Sequence, residues 1–259
     1  MTRALAAAGC VAAEDEAMEL IAAAPDLPTL EAMLARRLTG EPLAWITGTI
    51  CFCGLTVGIR PGVYVPRWQS ETLARTAAEL LPPLGTAVDL CTGSGAIAMV
   101  LQAARPDARV MATESDPVAV ACARQNGVDV RVGDLDVGLP SELAGQVDVM
   151  TGVTPYVPDD ALHLLPRDVL SFEPLAALAG GLGGVEIVAR AVARSIGWLA
   201  PGGWLLLEVG GGQFDEVVRL FATSGYTDVR ILEDGDGDPR AVCGRLVGSV
   251  EGAAQASSR

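Results

Sequence analysis

From residue 86 onward the sequence alternates short apolar runs with stretches of helical period, and this limits the fold more than any other feature. Apolar runs fall at 87–90, 109–114, 130–132, 147–151 and 203–209, with helix-period segments at 96–104, 117–126, 185–199 and 213–224. Such short runs suit strands buried on both faces, and the helices between them supply the crossovers that parallel strands need. The expected fold class is α/β, a mostly parallel sheet covered by helices. Two more strand candidates, 227–232 and 240–247, have no helix between them. A link that short suits an antiparallel pair. The last of seven strands is therefore expected to run against the others.

Residues 3–24 and 28–38 show helical patterning interrupted by Pro25 and Pro28. A β-like segment follows over 49–65, in which Cys51-Phe52-Cys53-Gly54-Leu55-Thr56-Val57 alternates as a hairpin does. That alternation puts Cys51 and Cys53 on one side. Ser70 can cap a helix that Pro82-Pro83 end. The expected organisation is an N-terminal helical region at 1–48, a hairpin linker at 49–70, an α/β domain at 71–248 and a flexible tail at 249–259.

Val88-Asp89-Leu90-Cys91-Thr92-Gly93-Ser94-Gly95-Ala96-Ile97-Ala98 reads as strand, glycine turn and helix start. Glu114 closes the next apolar run, about 20 residues on, where an acid can accept bonds from ribose hydroxyls. Glycines let a ligand approach the backbone, and a helix N-terminus offers free N–H groups. The unit fits an adenosine-containing cofactor. Gly93-Ser94-Gly95-Ala96-Ile97-Ala98 also fits G-x-G-x-x-A, so a nicotinamide-dependent oxidoreductase is a competing reading. A turn without ligand is another.

The chain has 32 acidic and 18 basic residues, a formal net charge of −14, and no basic cluster. Such a surface repels phosphate backbones and anionic membranes, so neither nucleic acid nor a membrane is an expected partner. No run approaches the ~18–20 apolar residues of a bilayer span. Glu14-Asp15-Glu16 cut short the Ala-rich start, which reads as an amphipathic helix rather than an export signal. The 6 cysteines form no C-x-x-C pair and there is 1 histidine. No metal site is expected, and a cytoplasmic location is the default. Residues 155–184 have no clear period and are rich in proline and glycine, as binding loops often are. Oligomeric state is not fixed by these features.

Several segments together resemble the HemK-type methyltransferases, which use S-adenosylmethionine (SAM) to methylate a glutamine side-chain amide in translation release factors. They are Gly40-Glu41-Pro42-Leu43-Ala44-Trp45-Ile46-Thr47-Gly48, Val65-Pro66-Arg67-Trp68-Gln69-Ser70-Glu71, Phe172-Glu173-Pro174-Leu175-Ala176-Ala177-Leu178 and Leu207-Glu208-Val209-Gly210. The resemblance spans roughly residues 36–246 and implies a Rossmann-like SAM-dependent methyltransferase fold. It implies that Asp89, Cys91, Thr92, Gly93 and Gly95 hold the methionyl end of SAM. Glu114 with Ser115 would hold the ribose, and Asp134 would sit near the adenine amino group.

Two departures bear on the acceptor. Where the family has Asn-Pro-Pro-Tyr, this chain has Val153-Thr154-Pro155-Tyr156. The family's Asn side chain and the carbonyl of its first Pro orient the amide nitrogen. Valine offers no polar group, and an amide left without its partner costs roughly 1–3 kcal/mol. Only about forty residues precede the Gly-Glu-Pro segment, fewer than the family usually has. Both changes lead to the expectation of a small-molecule acceptor in natural-product biosynthesis, and the Tyr and Trp candidates suit a flat or aromatic one. The main alternative is the release-factor enzyme itself, and a non-catalytic SAM-binding protein is another. Val153, Thr154, Pro155 and Tyr156 are the candidate catalytic residues. Tyr64, Arg67, Trp68, His163, Phe172 and Glu173 are the candidate acceptor-binding residues. Trp45 is a further pocket candidate that packing would equally explain. A lone loop histidine such as His163 is more often a surface residue than a base.

Overall fold

The computed structural model describes residues 1–165 and 167–247. The expected tail at 249–259 lies outside them. The chain opens with α1 (Thr2–Ala7), α2 (Ala13–Ala23), α3 (Leu27–Leu38) and α4 (Leu43–Thr47), then the antiparallel hairpin β1 (Thr49–Phe52) and β2 (Leu55–Gly58). The catalytic sheet and its covering helices follow as α5 (Glu71–Leu80), β3 (Thr86–Leu90), α6 (Ala96–Ala104), β4 (Arg109–Glu114), α7 (Pro117–Gln125), β5 (Val130–Val132), β6 (Val147–Gly152), α8 (Arg167–Phe172), α9 (Glu186–Ser195), β7 (Leu199–Glu208), α10 (Phe214–Thr223), β8 (Tyr226–Glu233) and β9 (Pro239–Leu246).

The seven-stranded sheet has the order β5-β4-β3-β6-β7-β9-β8. Neighbours from β5 to β7 pair parallel, whereas β9 pairs antiparallel with both β7 and β8. The last strand in sequence is thus the reversed one, inserted between its two predecessors. From β3 the chain moves outward to β4 and β5, then returns to place β6 on the other side of β3. That reversal opens a crevice beyond the carboxyl ends of β3 and β6, where open α/β sheets bind ligands.

Side chains alternate across each strand, and the two faces build separate cores. Ala87, Val149 and Leu206 face α5 and α6, and Phe52 and Val57 of the hairpin join this core. Val88, Met150, Leu205 and Leu207 face α9 and α10. In α5 the buried Leu73, Ala74, Ala77 and Ala78 form one helical stripe. The first helices share a smaller cluster of Leu5, Leu20, Met33 and Ile46.

Three local expectations are corrected. The helix expected over 3–24 is two helices, because Gly9 takes φ 92° and turns the chain. Cys53 does not continue the alternation with Cys51. It occupies the hairpin turn with φ 52°, followed by Gly54 at φ 80°, and a two-residue turn of this hand needs both angles positive. The interval 155–184 is not structureless. It contains α8 and short 3-10 turns, tied by a bridge between Val157 and Ala179.

Candidate active site

Beyond the ends of β3, β4 and β6 lies an open cavity. Its floor is the glycine turn. Asp89, at the end of β3, is buried and accepts hydrogen bonds from Thr92 Oγ1 at 2.5 Å and Thr151 Oγ1 at 2.7 Å. Burial pushes its carboxyl up to about 6, and the two hydroxyls only partly oppose this. A cationic ligand placed here would restore the charged form.

The two glycines differ in purpose. Gly93 has φ 57°, and a Cβ there would meet nothing within 4 Å, so this side of the turn stays open. Gly95 has φ 87°, and a Cβ there would lie 2.7 Å from Val128 Cγ2. It is therefore glycine for packing against the layer behind and does not line the cavity. Cys91 holds a left-handed conformation at φ 51° without being glycine, at a cost on the order of 1 kcal/mol. Burial raises its thiol pKa far above neutrality, so it is no nucleophile.

Glu114 holds the turn itself. Its Oε2 accepts from Gly93 N at 2.9 Å, and its Oε1 accepts from Ser115 N at 2.7 Å and Asp116 N at 2.9 Å. A carboxylate has about four acceptor sites, so it keeps capacity for a ribose hydroxyl while pinning β3 to β4. Asp116 then caps α7 by accepting from Val118 N at 2.8 Å.

The structure gathers Asp89, Cys91, Thr92, Gly93, Glu114 and Ser115 around the cavity, and Tyr64, Val153 and Pro155 line it with them. The other candidates do not line the cavity. Asp134 is exposed and paired with Arg190. His163 is exposed on the 3-10 turn Asp159–Leu164. Trp68 is 59% exposed, with the Arg240 guanidinium 5.0 Å from its ring centroid. Phe172 packs edge-on against Trp45 at 6.2 Å, and Trp45 Nε1 donates to Val63 O at 2.9 Å. Both aromatics are packing residues. Glu173 is buried and accepts from Val65 N at 3.3 Å and from Arg67, whose guanidinium lies 5.1 Å from the Tyr64 ring centroid. Glu173 and Arg67 thus brace the Tyr64 wall from behind. Thr154 is buried and Tyr156 half-buried, and neither lines the cavity.

Sequence reasoning missed residues whose partners are remote. Asn126 Nδ2 donates to Gly58 O and to Ser94 O, each at 2.8 Å, and its Oδ1 accepts from Gly58 N at 3.0 Å. One side chain thus ties the hairpin to the glycine turn. Gln213 Nε2 donates to Tyr156 O at 2.7 Å and Gly183 O at 2.9 Å, fixing the strand end after β6. Ser70 lines the cavity and makes no side-chain cap to α5. Only Ser70 had a sequence signal, as a helix cap, and that signal pointed to the wrong role. Among the described residues no group of three or more His, Cys, Asp or Glu is placed to hold a metal, and no helix is long and apolar enough to cross a membrane.

Asp89 gives the fold a testable pH dependence. Its folded pKa, about 6, exceeds the ordinary 3.8, so the folded chain binds more protons between those values. Its contribution is full below the ordinary value and is lost as pH rises through about 6. Two units amount to roughly 3 kcal/mol. Asp89→Asn should therefore gain on the wild type by about that much between pH 4 and pH 7. Urea unfolding at both pH values checks this, and a pH-independent difference contradicts it.

Comparison with known proteins places this geometry. The model of the family "Methyltransferase small domain" matches residues 61–146, which include the turn and Glu114. A release factor glutamine methyltransferase of Geobacter sulfurreducens is 35% identical over 224 residues, covering 85% of this chain and 79% of the relative. One of Mycolicibacterium smegmatis is 38% identical over 223 residues, covering 83% and 79%. A methyltransferase structure from Pyrococcus furiosus shares the fold with TM-score 0.55 at 20% identity, covering 84% of this chain and 100% of that one. These findings set aside the oxidoreductase reading. They also overturn the expected small-molecule acceptor and its place in natural-product biosynthesis, because the relatives are named for a protein acceptor. The replacement at Val153-Thr154 and the short segment before Gly40, on which that expectation rested, are local departures within a match that runs through most of both sequences. The acidic cavity at the β3–β6 crevice and the match along most of the chain lead to one conclusion: this chain belongs to the HemK-type family of release factor glutamine methyltransferases and is a SAM-dependent methyltransferase.

Proposed function

We propose that this chain transfers the methyl group of SAM to the side-chain amide nitrogen of a glutamine in a translation release factor. The observation that carries the reading is the 35–38% identity to release factor glutamine methyltransferases across 79% of their length. The geometry supports it. A cavity lined by Asp89 and Glu114 suits a cofactor that carries an ammonium and a sulfonium, and Val153 and Pro155, which follow β6, line it too.

When bound, SAM supplies an electrophilic methyl carbon on a cationic sulfur. Asp89 would face its ammonium group, the Gly93 turn its carboxylate and Glu114 its ribose. Asp134, turned to Arg190, and Gly95, turned to Val128, are left out of direct contact in this assignment. The Thr154 carbonyl, which stands where the family's first Pro carbonyl does, would accept from the amide N–H. Tyr64, braced by Arg67 and Glu173, would exclude water from the acceptor side. Helices 1–48 and the linker 49–70 would face the protein partner, and the reaction would run in the cytoplasm, with translation.

The test is incubation of the purified chain with SAM and purified release factors, followed by peptide mass spectrometry. One methyl added to a release-factor glutamine is the expected product. A preparation that binds SAM by calorimetry yet leaves the factors unmodified overturns the reading.

A further inference from the structure

The carboxyl ends of β3, β6 and β7 carry a row of groups on one face of the sheet. Ala87, Val149 and Leu206 belong to the α5 side. Two residues further along β3 and β7 are Asp89 and Glu208, so both carboxylates point to that same side. Val153 also packs there and lines the cavity. The register pairs Gly152 with Leu207, which sets Val153 beside Glu208, one strand spacing or ~4.8 Å away.

Glu208 is 3% exposed, and its Oε2 has no hydrogen-bond partner among the described residues. The hydroxyls of Ser70 and Tyr156 face the same carboxylate, and Ser70 is part of the cavity wall. A buried carboxylate oxygen left unsatisfied is costly. Burial raises the Glu208 pKa, against the opposing pull of Ser70, Tyr156, Arg240 and Arg67. A carboxylate so placed takes up a proton more readily than one in water.

We propose that Glu208 receives the acceptor amide N–H, supplying from β7 the side-chain acceptor that Val153 cannot supply from β6. This rests on the glutamine reading above. An amide nitrogen is a poor nucleophile because its electron pair is shared with the carbonyl. A carboxylate that accepts the N–H as the new bond forms returns that pair to nitrogen. In the step, the S–CH3 bond breaks with its electron pair left on sulfur, and the N–CH3 bond forms. The N–H proton passes to Glu208 Oε2 and then to solvent. Ser70 and Tyr156 position the carboxylate, and the Thr154 carbonyl holds the other N–H.

The experiment is steady-state methylation of a purified release factor by the full chain, with SAM affinity measured by calorimetry on each variant. Glu208→Gln should lower kcat on the order of 100-fold, the scale of a misaligned reacting group. SAM affinity and the KM for the factor should stay within about threefold. Glu208→Asp keeps a carboxylate and should retain more rate than Glu208→Gln. Glu208→Ala removes the acceptor altogether, and adding Val153→Asn to it should recover about tenfold or more of the lost rate, because a side-chain acceptor then returns on the neighbouring strand. A merely structural role for Glu208 predicts no such recovery. The proposal is overturned by a Glu208→Gln kcat near the wild-type value, by equal loss of SAM binding, or by a Glu208→Ala loss that Val153→Asn does not relieve. Absence of methylation by a SAM-binding wild type overturns the glutamine reading itself, and with it this proposal.

Discussion

Glu173→Ala is expected to lower the unfolding free energy by about 3 kcal/mol, toward the lower end of what breaking a buried ion pair costs. The carboxylate is almost fully buried and serves Val65 N–H and the Arg67 guanidinium together. Alanine leaves both donors without it. Arg67 keeps a third of its side chain in solvent and can rehydrate, which holds the loss below the upper end of that range. Denaturant unfolding at neutral pH measures it. Glu173→Gln, which retains an acceptor for Val65 N–H, should lose less. A loss under about 1 kcal/mol for alanine would show that the pair contributes only as a surface bridge does. The same variant should loosen the Tyr64 wall and raise the KM for the acceptor more than it changes SAM affinity.

Glu114→Ala is expected to weaken SAM binding by on the order of 100-fold, near 3 kcal/mol, the upper range for hydrogen bonds to a charged group. Losing the ribose acceptor is one part. The other is visible without ligand: the carboxylate holds the N–H groups of Gly93, Ser115 and Asp116, so its removal also frees the turn that must be ordered for binding. Glu114→Gln separates the parts. Its carbonyl can still accept from Gly93 N–H, and it should lose about tenfold, roughly 1.4 kcal/mol. Calorimetric titration with SAM reads both variants. Equal affinity in wild type and alanine variant would mean that the cofactor lies elsewhere.

Period and punctuation made the sheet legible. The seven strands follow the apolar runs, and the missing helix between 227–232 and 240–247 marked the reversed strand. The turn was legible as well, since positive φ at Gly93 and Gly95 demands glycine or a residue that tolerates it. What local patterning missed were interruptions requiring one residue to turn, such as Gly9 and Cys53. It also missed the short helices of 155–184, which tertiary contacts stabilise more than propensity does.

Sequence by itself determined the α/β class, the position of the glycine turn, the acid at the end of the next strand and, through its motifs, the family. Tertiary structure decided which candidates share a cavity. Asp134, Trp68, His163 and Phe172 carry plausible chemistry, yet their side chains are held by Arg190, Arg240, the surface turn and Trp45. Asn126 and Gln213 stood in helix patterns without any sign of a site, and Glu208 was marked only as part of a motif. Their roles depend on strand order and on which face of the sheet each side chain takes. Those are set by packing among segments far apart in the chain, and local periodicity carries no record of them.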